Sequence, residues 1–157
     1  MFLGLQIYYR SSRFFVHRRK YALDLLAKFN MSTCKPCSTP FVSLSQLRKD
    51  DGVPLFDPTP SRSMVGGLQY LTFTRPDLSY AVNHVFQFMH QPTNHHLVAA
   101  KRFLRYVQGS LHHCLTFRLG PLSLTAFTDF DWAGDLMDRC STTGLLVFLD
   151  QNPMITW

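Results

Sequence analysis

Three carboxylates, Asp129, Asp131 and Asp135, close the stretch LTAFTDFDWAGD at the end of an apolar, β-prone run. The rest of the chain is poor in acid: its 157 residues carry 16 Lys or Arg against 10 Asp or Glu, a net charge of +6. Carboxylates gathered at a strand end suit a metal site, because carboxylate oxygens are ligands for hard cations. A polar turn is the alternative. A second candidate is Cys34-Lys35-Pro36-Cys37, which has CxxC spacing. Zinc would need two further ligands, and His112, His113 and Cys114 could supply them, but no second pair with ligand spacing exists. A redox CxxC follows a strand and opens a helix, whereas here a helix ends before it and Pro40 follows. The four cysteines therefore read as reduced thiols of an intracellular protein. A third candidate is the basic cluster Lys101, Arg102 and Arg105 with His95 and His96 nearby, either a solvated helix face or a phosphate-tracking patch. Ser141-Thr142-Thr143 reads as strand and turn hydroxyls, because no base stands in recognisable context to activate a nucleophile.

These residues need elements to hold them. Hydrophobic residues make up 46% of the chain and 14 are Phe, enough for a packed core in one domain or two small units and too much for a disordered chain. The positive balance favours polyanionic partners, nucleic acid before membrane. No run of eighteen apolar residues occurs, so no membrane-spanning helix and no membrane partner are expected. The first twenty residues hold five Arg or Lys and no acid. They fit either a basic leader of mitochondrial type or a β-hairpin, FLGLQIYY and RFFVHRR around Arg10-Ser11-Ser12. The Tyr, Phe, Ile and Val content favours the hairpin.

Ala22, Leu25, Leu26 and Phe29 then recur at helical spacing, with Asn30 as a stop. A Pro-rich connection follows, residues 31–61. Met64, Val65, Leu68, Leu71 and Thr72 predict a second helix, and Gly66-Gly67 within it predicts a close approach by another element. RPDLSYAVNHVFQFMHQP predicts a third, with Pro76 and Asp77 in its first turn and Leu78, Ala81, Val82, Val85, Phe86 and Met89 buried. Thr93 caps a fourth, which buries Leu97, Ala100, Phe103, Leu104 and Val107 and stops at Gly109. From Cys114 the pattern turns to four short strands, CLTFR, LSLTAFTD, GLLVFLD and PMITW, read as an antiparallel meander with Asn152-Pro153 as the last turn. The pattern reaches Trp157 within a strand, which predicts a larger parent protein.

Five stretches now become specific in order and spacing: FLGLQI, KYALDLLAKFNMSTCKPCSTP, SRSMVGGLQYLTFTRPDLSYAV, HLVAAKRFLRYVQGSL and FTDFDWAGDLMDRCSTTGLLVFL. Together they resemble the Pol polyprotein of copia-type LTR retrotransposons over nearly the whole chain, from the end of the reverse transcriptase palm through thumb and connection into the first strands of RNase H. The resemblance implies an α+β fold in three parts. These are the end of the palm with its primer-grip hairpin, one helix and the Pro-rich connection (1–58), a helical thumb and connection region (59–113), and the first antiparallel strands of an incomplete RNase H-like sheet (114–157). It implies that Phe2-Leu3-Gly4 form the primer-grip turn, that Lys101, Arg102 and Arg105 contact the template–primer, and that Asp129 is the first RNase H carboxylate, a Mg²⁺ ligand in the complete parent. The polymerase carboxylates would lie upstream, in a Tyr-x-Asp-Asp strand; Asp50-Asp51 follows Arg48-Lys49 in the connection and is no candidate. The remaining RNase H carboxylates would lie beyond Trp157. The expectation is a chain inactive alone, with no cofactor of its own, from a parent that is reverse transcriptase and ribonuclease H. The alternative is a module that still binds RNA–DNA or DNA template–primer. A nuclear or cytoplasmic location is implied, with the mitochondrion as the competing reading.

Overall fold

A computed structural model describes residues 4–41, 47–49, 51–130, 141 and 143–156 of the chain. They form two compact units, one of residues 17–114 with the first six, the other of residues 7–16 with 115–157.

The first unit is helical: α1 (Arg19–Lys28), α2 (Thr59–Thr72), α3 (Ser79–Phe86) and α4 (Asn94–Gly109). The apolar spacing explains the packing, because it puts Ala22, Leu25 and Leu26 of α1, Met64, Val65, Leu68 and Leu71 of α2, and Ala100, Phe103, Leu104 and Val107 of α4 into one buried cluster. Asn30 stops α1 in the left-handed conformation, φ 55°. The Met31 and Asn30 N–H groups return to the Leu26 and Ala27 carbonyls at 2.8 and 3.1 Å, the paired bonds of a Schellman ending. The two glycines of α2 differ. A Cβ on Gly66 would meet nothing within 4 Å, whereas one on Gly67 would stand 2.5 Å from Leu25 Cδ1 of α1. Close approach therefore belongs to Gly67 alone, and the Tyr21 hydroxyl uses it to donate to the Gly67 carbonyl at 3.1 Å.

The third helix is shorter than its sequence predicts. It enters through a 3-10 turn at Pro76–Leu78 and ends at Phe86. Phe88, Met89 and Gln91 then make tighter bonds to carbonyls three residues back, and the Arg62 side chain satisfies the Met89 and His90 carbonyls at 2.9 and 2.7 Å. Leu78, Ala81, Val82, Val85 and Met89 are buried as expected, but Phe86 is 54% exposed. The tightened last turn rotates it off the apolar stripe.

The second unit holds two three-stranded antiparallel sheets. One is β1 (Gln6–Arg10), β2 (Arg13–His17) and β3 (Leu115–Arg118), in that order, and the other is β4 (Leu124–Phe130), β5 (Thr143–Leu149) and β6 (Asn152–Thr156). The N-terminal basic segment is thus a hairpin. Only β4, β5 and β6 form the meander; β3 pairs instead with β2, Val16 facing Leu115 and Phe14 facing Phe117. The β5–β6 turn falls at Asp150, φ 54°, and Pro153 lies inside β6, opposite Phe148 at a register shift. An edge strand tolerates a proline because the missing N–H has no ladder partner to disappoint. Apolar Leu124, Phe127 and Phe130 of β4 are all more than half exposed.

Candidate functional site

The basic face of α4 is built from its cap upward. Thr93 and His96 cap the helix reciprocally: the His96 N–H donates to the Thr93 hydroxyl, and the Thr93 N–H donates to His96 Nδ1 at 3.0 Å. Because Nδ1 accepts, the ring proton sits on Nε2 and is donated to the Arg48 carbonyl at 3.1 Å. His96 is wholly buried and stacks on Phe88 with centroids 4.5 Å apart. It is therefore a neutral structural cap and no phosphate ligand, while His95 is exposed.

Burial depresses the His96 pKa below 6.5, against the opposing pull of the Arg48 carbonyl and Asp51, with His95 and His84 adding to the depression. The unfolded chain therefore takes up a proton near pH 6.5 that the folded chain refuses, so stability falls as pH drops through that value. Urea midpoints should decline between pH 7.5 and 5.5, and His96→Gln, less stable throughout, should flatten that decline. An equal decline in the variant would remove His96 as its cause.

From this cap, α4 carries Lys101, Arg102 and Arg105, but they are not equivalent. Lys101 is exposed; Arg102 and Arg105 are half-buried. The segment holding both cysteines lies along this side of the helix. Arg102 donates to the Thr39 hydroxyl at 2.8 Å. The Cys37 N–H reaches the Arg105 carbonyl at 3.4 Å, and Gln108 donates to the Ser32 carbonyl at 2.9 Å. A Cβ on Gly109 would stand 3.0 Å from Pro36. The cysteines thus serve an internal loop. Cys34, Cys37 and Cys114 are free thiols, the Cys37 Sγ points at the Thr39 and Arg102 carbonyls, and burial pushes the Cys34 thiol up despite Arg105 nearby. A thiol pushed up in this way, as Cys34 is, makes a poor metal ligand and a poor nucleophile.

At the N-terminus, Gly4 adopts φ +76°, where a side chain is strained, and its missing Cβ would stand 3.7 Å from the Tyr70 hydroxyl oxygen. Phe2 and Leu3 lie outside the described residues. Beside this turn the buried Arg18 guanidinium lies 3.9 Å from the Tyr70 ring centre.

Asp129 sits near the end of β4, exposed, with Gly144 directly opposite on β5. No cross-strand side chain therefore crowds its carboxylate. Asp131 and Asp135 lie outside the described residues, as does Cys140. Among the described residues no group of three His, Cys, Asp or Glu side chains could hold a metal ion.

One ionic group escaped the sequence reading. Arg75, 5% exposed, makes a two-pronged pair with Asp77 at 2.7 to 3.2 Å and donates to the Ser110 carbonyl and hydroxyl at 3.1 and 2.7 Å. Tyr106 donates to Asp77 at 2.8 Å. Burial alone would raise the Asp77 carboxyl, but the Arg75 and Tyr106 hydrogen bonds outweigh it and hold it below 3.8. This network ties the start of α3 to the end of α4; only the isolated Arg-Pro-Asp triplet hints at it in sequence.

The Pol polyproteins of transposons RE1 and RE2 from Arabidopsis thaliana are each 48% identical to this chain over 99% of its length, which is 11% of theirs. An uncharacterized mitochondrial protein of Arabidopsis thaliana is 46% identical over 99% of this chain and 65% of its own length. No protein-family model and no solved structure matches the chain.

Proposed function

The chain belongs to the Pol polyproteins of copia-type LTR retrotransposons, and from that membership we propose that it is a nucleic-acid-holding segment of a reverse transcriptase and ribonuclease H, without catalysis of its own. The chain spans about one ninth of the RE1 and RE2 relatives, 11% of their length. In the complete polyprotein the α4 face would follow the template–primer backbone, Gly4 would shape the primer-grip turn with Phe2 and Leu3, and Asp129 would help to hold Mg²⁺. Mg²⁺ would there stabilise the charge that develops during phosphodiester cleavage. The working compartment is where the element's RNA is copied, nucleus or cytoplasm.

The observation that carries this reading is the exposed Lys101 beside Arg105 on a helix fixed at both ends, within a match that spans the whole chain. Arg102 takes a different part. Its bond to Thr39 makes it an anchor for the cysteine loop, and phosphate contact falls to Lys101 and Arg105.

The test is a titration of the full chain with a labelled RNA–DNA hybrid across a salt series, with Mg²⁺ present and cleavage followed in the same samples. The expected result is salt-sensitive binding and an intact hybrid. Lys101→Gln with Arg105→Gln should make the slope of log affinity against log salt shallower by about two, at roughly 0.9 per phosphate contact on a duplex. Mg²⁺-dependent cleavage that disappears in Asp129→Asn would overturn the non-catalytic part, and salt-insensitive binding would overturn the rest.

A further inference from the structure

The β1–β2–β3 sheet places three arginines in one row across its strands. Arg13 and Arg118 are direct partners in the β2–β3 ladder. Arg10 and Arg13 flank the two-residue turn Ser11-Ser12 that joins β1 to β2. The next pair inward, Tyr9 and Phe14, brings its rings to 5.9 Å, as that register requires. All three arginines are exposed. Adjacent strands lie about 4.8 Å apart, so three guanidinium side chains rise from one sheet face within about 10 Å. No acid occurs in the three strands. Among the described residues the ion pair of Arg75 with Asp77 lies elsewhere, and no ion pair is seen on this row.

Like charges directly across a ladder repel, so such a row destabilises the sheet that carries it. The sheet compensates on its other face, where Phe14 and Phe117 stack with centroids 4.9 Å apart. The backbone of Arg118 is held by the other sheet of this unit: its N–H donates to Oδ1 of Asn152 in β6 at 2.7 Å, and Asn152 Nδ2 donates back to its carbonyl at 2.9 Å. By the alternation of the strands, the next residues along the arginine face are Tyr8 and Phe15, with Thr116 opposite Phe15. A row of guanidinium side chains with aromatic rings next to it on the same face matches a single nucleic-acid strand, whose phosphates take the charges and whose bases stack on the rings.

We propose that the Arg10–Arg13–Arg118 row binds the phosphate backbone of single-stranded nucleic acid. This extends the nucleic-acid reading to the second compact unit, and it stands on residues which that reading does not use.

The test titrates a labelled single-stranded oligonucleotide with the full chain over a salt series, comparing it with a triple variant, Arg10→Gln, Arg13→Gln and Arg118→Gln, and with a double variant, Lys101→Gln and Arg105→Gln. The triple variant should lose about two from the salt slope, three phosphates at roughly 0.7 each on a single strand. Its thermal midpoint should hold or rise, because the repulsion is gone. The same loss should appear when the triple change is made on top of the double variant, which separates this row from the α4 face. An unchanged slope in a folded triple variant would overturn the proposal. So would tighter binding of the chain to phosphatidylserine vesicles than to the oligonucleotide, since the row would then be serving a membrane surface.

Discussion

Asp77→Ala should lower the stability of the helical unit by about 2–3 kcal/mol. Removing one partner of a buried pair typically costs about 3–5 kcal/mol, because the other charge is left without compensation. Arg75 is that charge: its side chain is 6% exposed, while Asp77 keeps 34% of its own in water, which places the loss below the usual range. Arg75 also keeps its two bonds to Ser110. Asp77→Asn, which retains an oxygen acceptor without the charge, should lose less. The acid limb supplies a second readout. Asp77 is held below 3.8 in the folded chain, so its contribution is present above that pH and is lost as the pH falls further. Both variants should show a weaker acid dependence of the urea midpoint than the parent. A midpoint unmoved by Asp77→Ala would mean that Arg75 finds water or another acceptor.

The glycines of α2 should respond in opposite directions. Gly66→Ala adds a methyl group to open space and removes the helix penalty of glycine, a gain of up to about 1 kcal/mol. Gly67→Ala gains the same propensity but drives its methyl into Leu25, which is 4% exposed and confined by the core. Overpacking of this kind costs about 1–3 kcal/mol, so the net should be a loss of up to about 2 kcal/mol. Thermal melts of the two variants therefore separate them. A Gly67→Ala protein as stable as Gly66→Ala would show that α1 can draw back from α2 at no cost.

The helices were legible because each apolar stripe is a local pattern. Spacing alone located the buried faces of α1, α2 and α4, the Thr93 cap and the Asn30 stop. Partners were less legible, because periodicity states which face is buried and not what covers it. Hence β3 reads as the first strand of a C-terminal meander, although its ladder is with β2. Pro153 reads as a turn because strands avoid proline, and only its edge position makes it tolerable. Phe86 continues the α3 stripe in sequence, yet the chain has already tightened at that point.

The basic cluster shows the same limit. Helical spacing brings Lys101, Arg102 and Arg105 to one side of α4, but the loop that occupies Arg102 comes from more than sixty residues away in the chain. The row of Arg10, Arg13 and Arg118 is invisible until β2 and β3 are paired. The carboxylates at the end of β4 are legible only through resemblance: Asp129 has its place on that strand, and a single carboxylate does not declare its own chemistry.

The pairing of Val16 with Leu115 sets an order of events during synthesis. At a ribosome's pace of about 5–20 residues per second, the β1–β2 hairpin emerges about 5 to 20 seconds before its third strand exists. Everything between them, residues 17–114, belongs to the helical unit, whose contacts are available earlier and whose folding shortens the gap that β2 and β3 must close. Until then the outer edge of β2 presents unpaired N–H and C=O groups beside Arg10 and Arg13. That charge is the kind of guard natural sheets place on an open edge, so the nascent hairpin waits for β3 protected from joining a neighbouring copy.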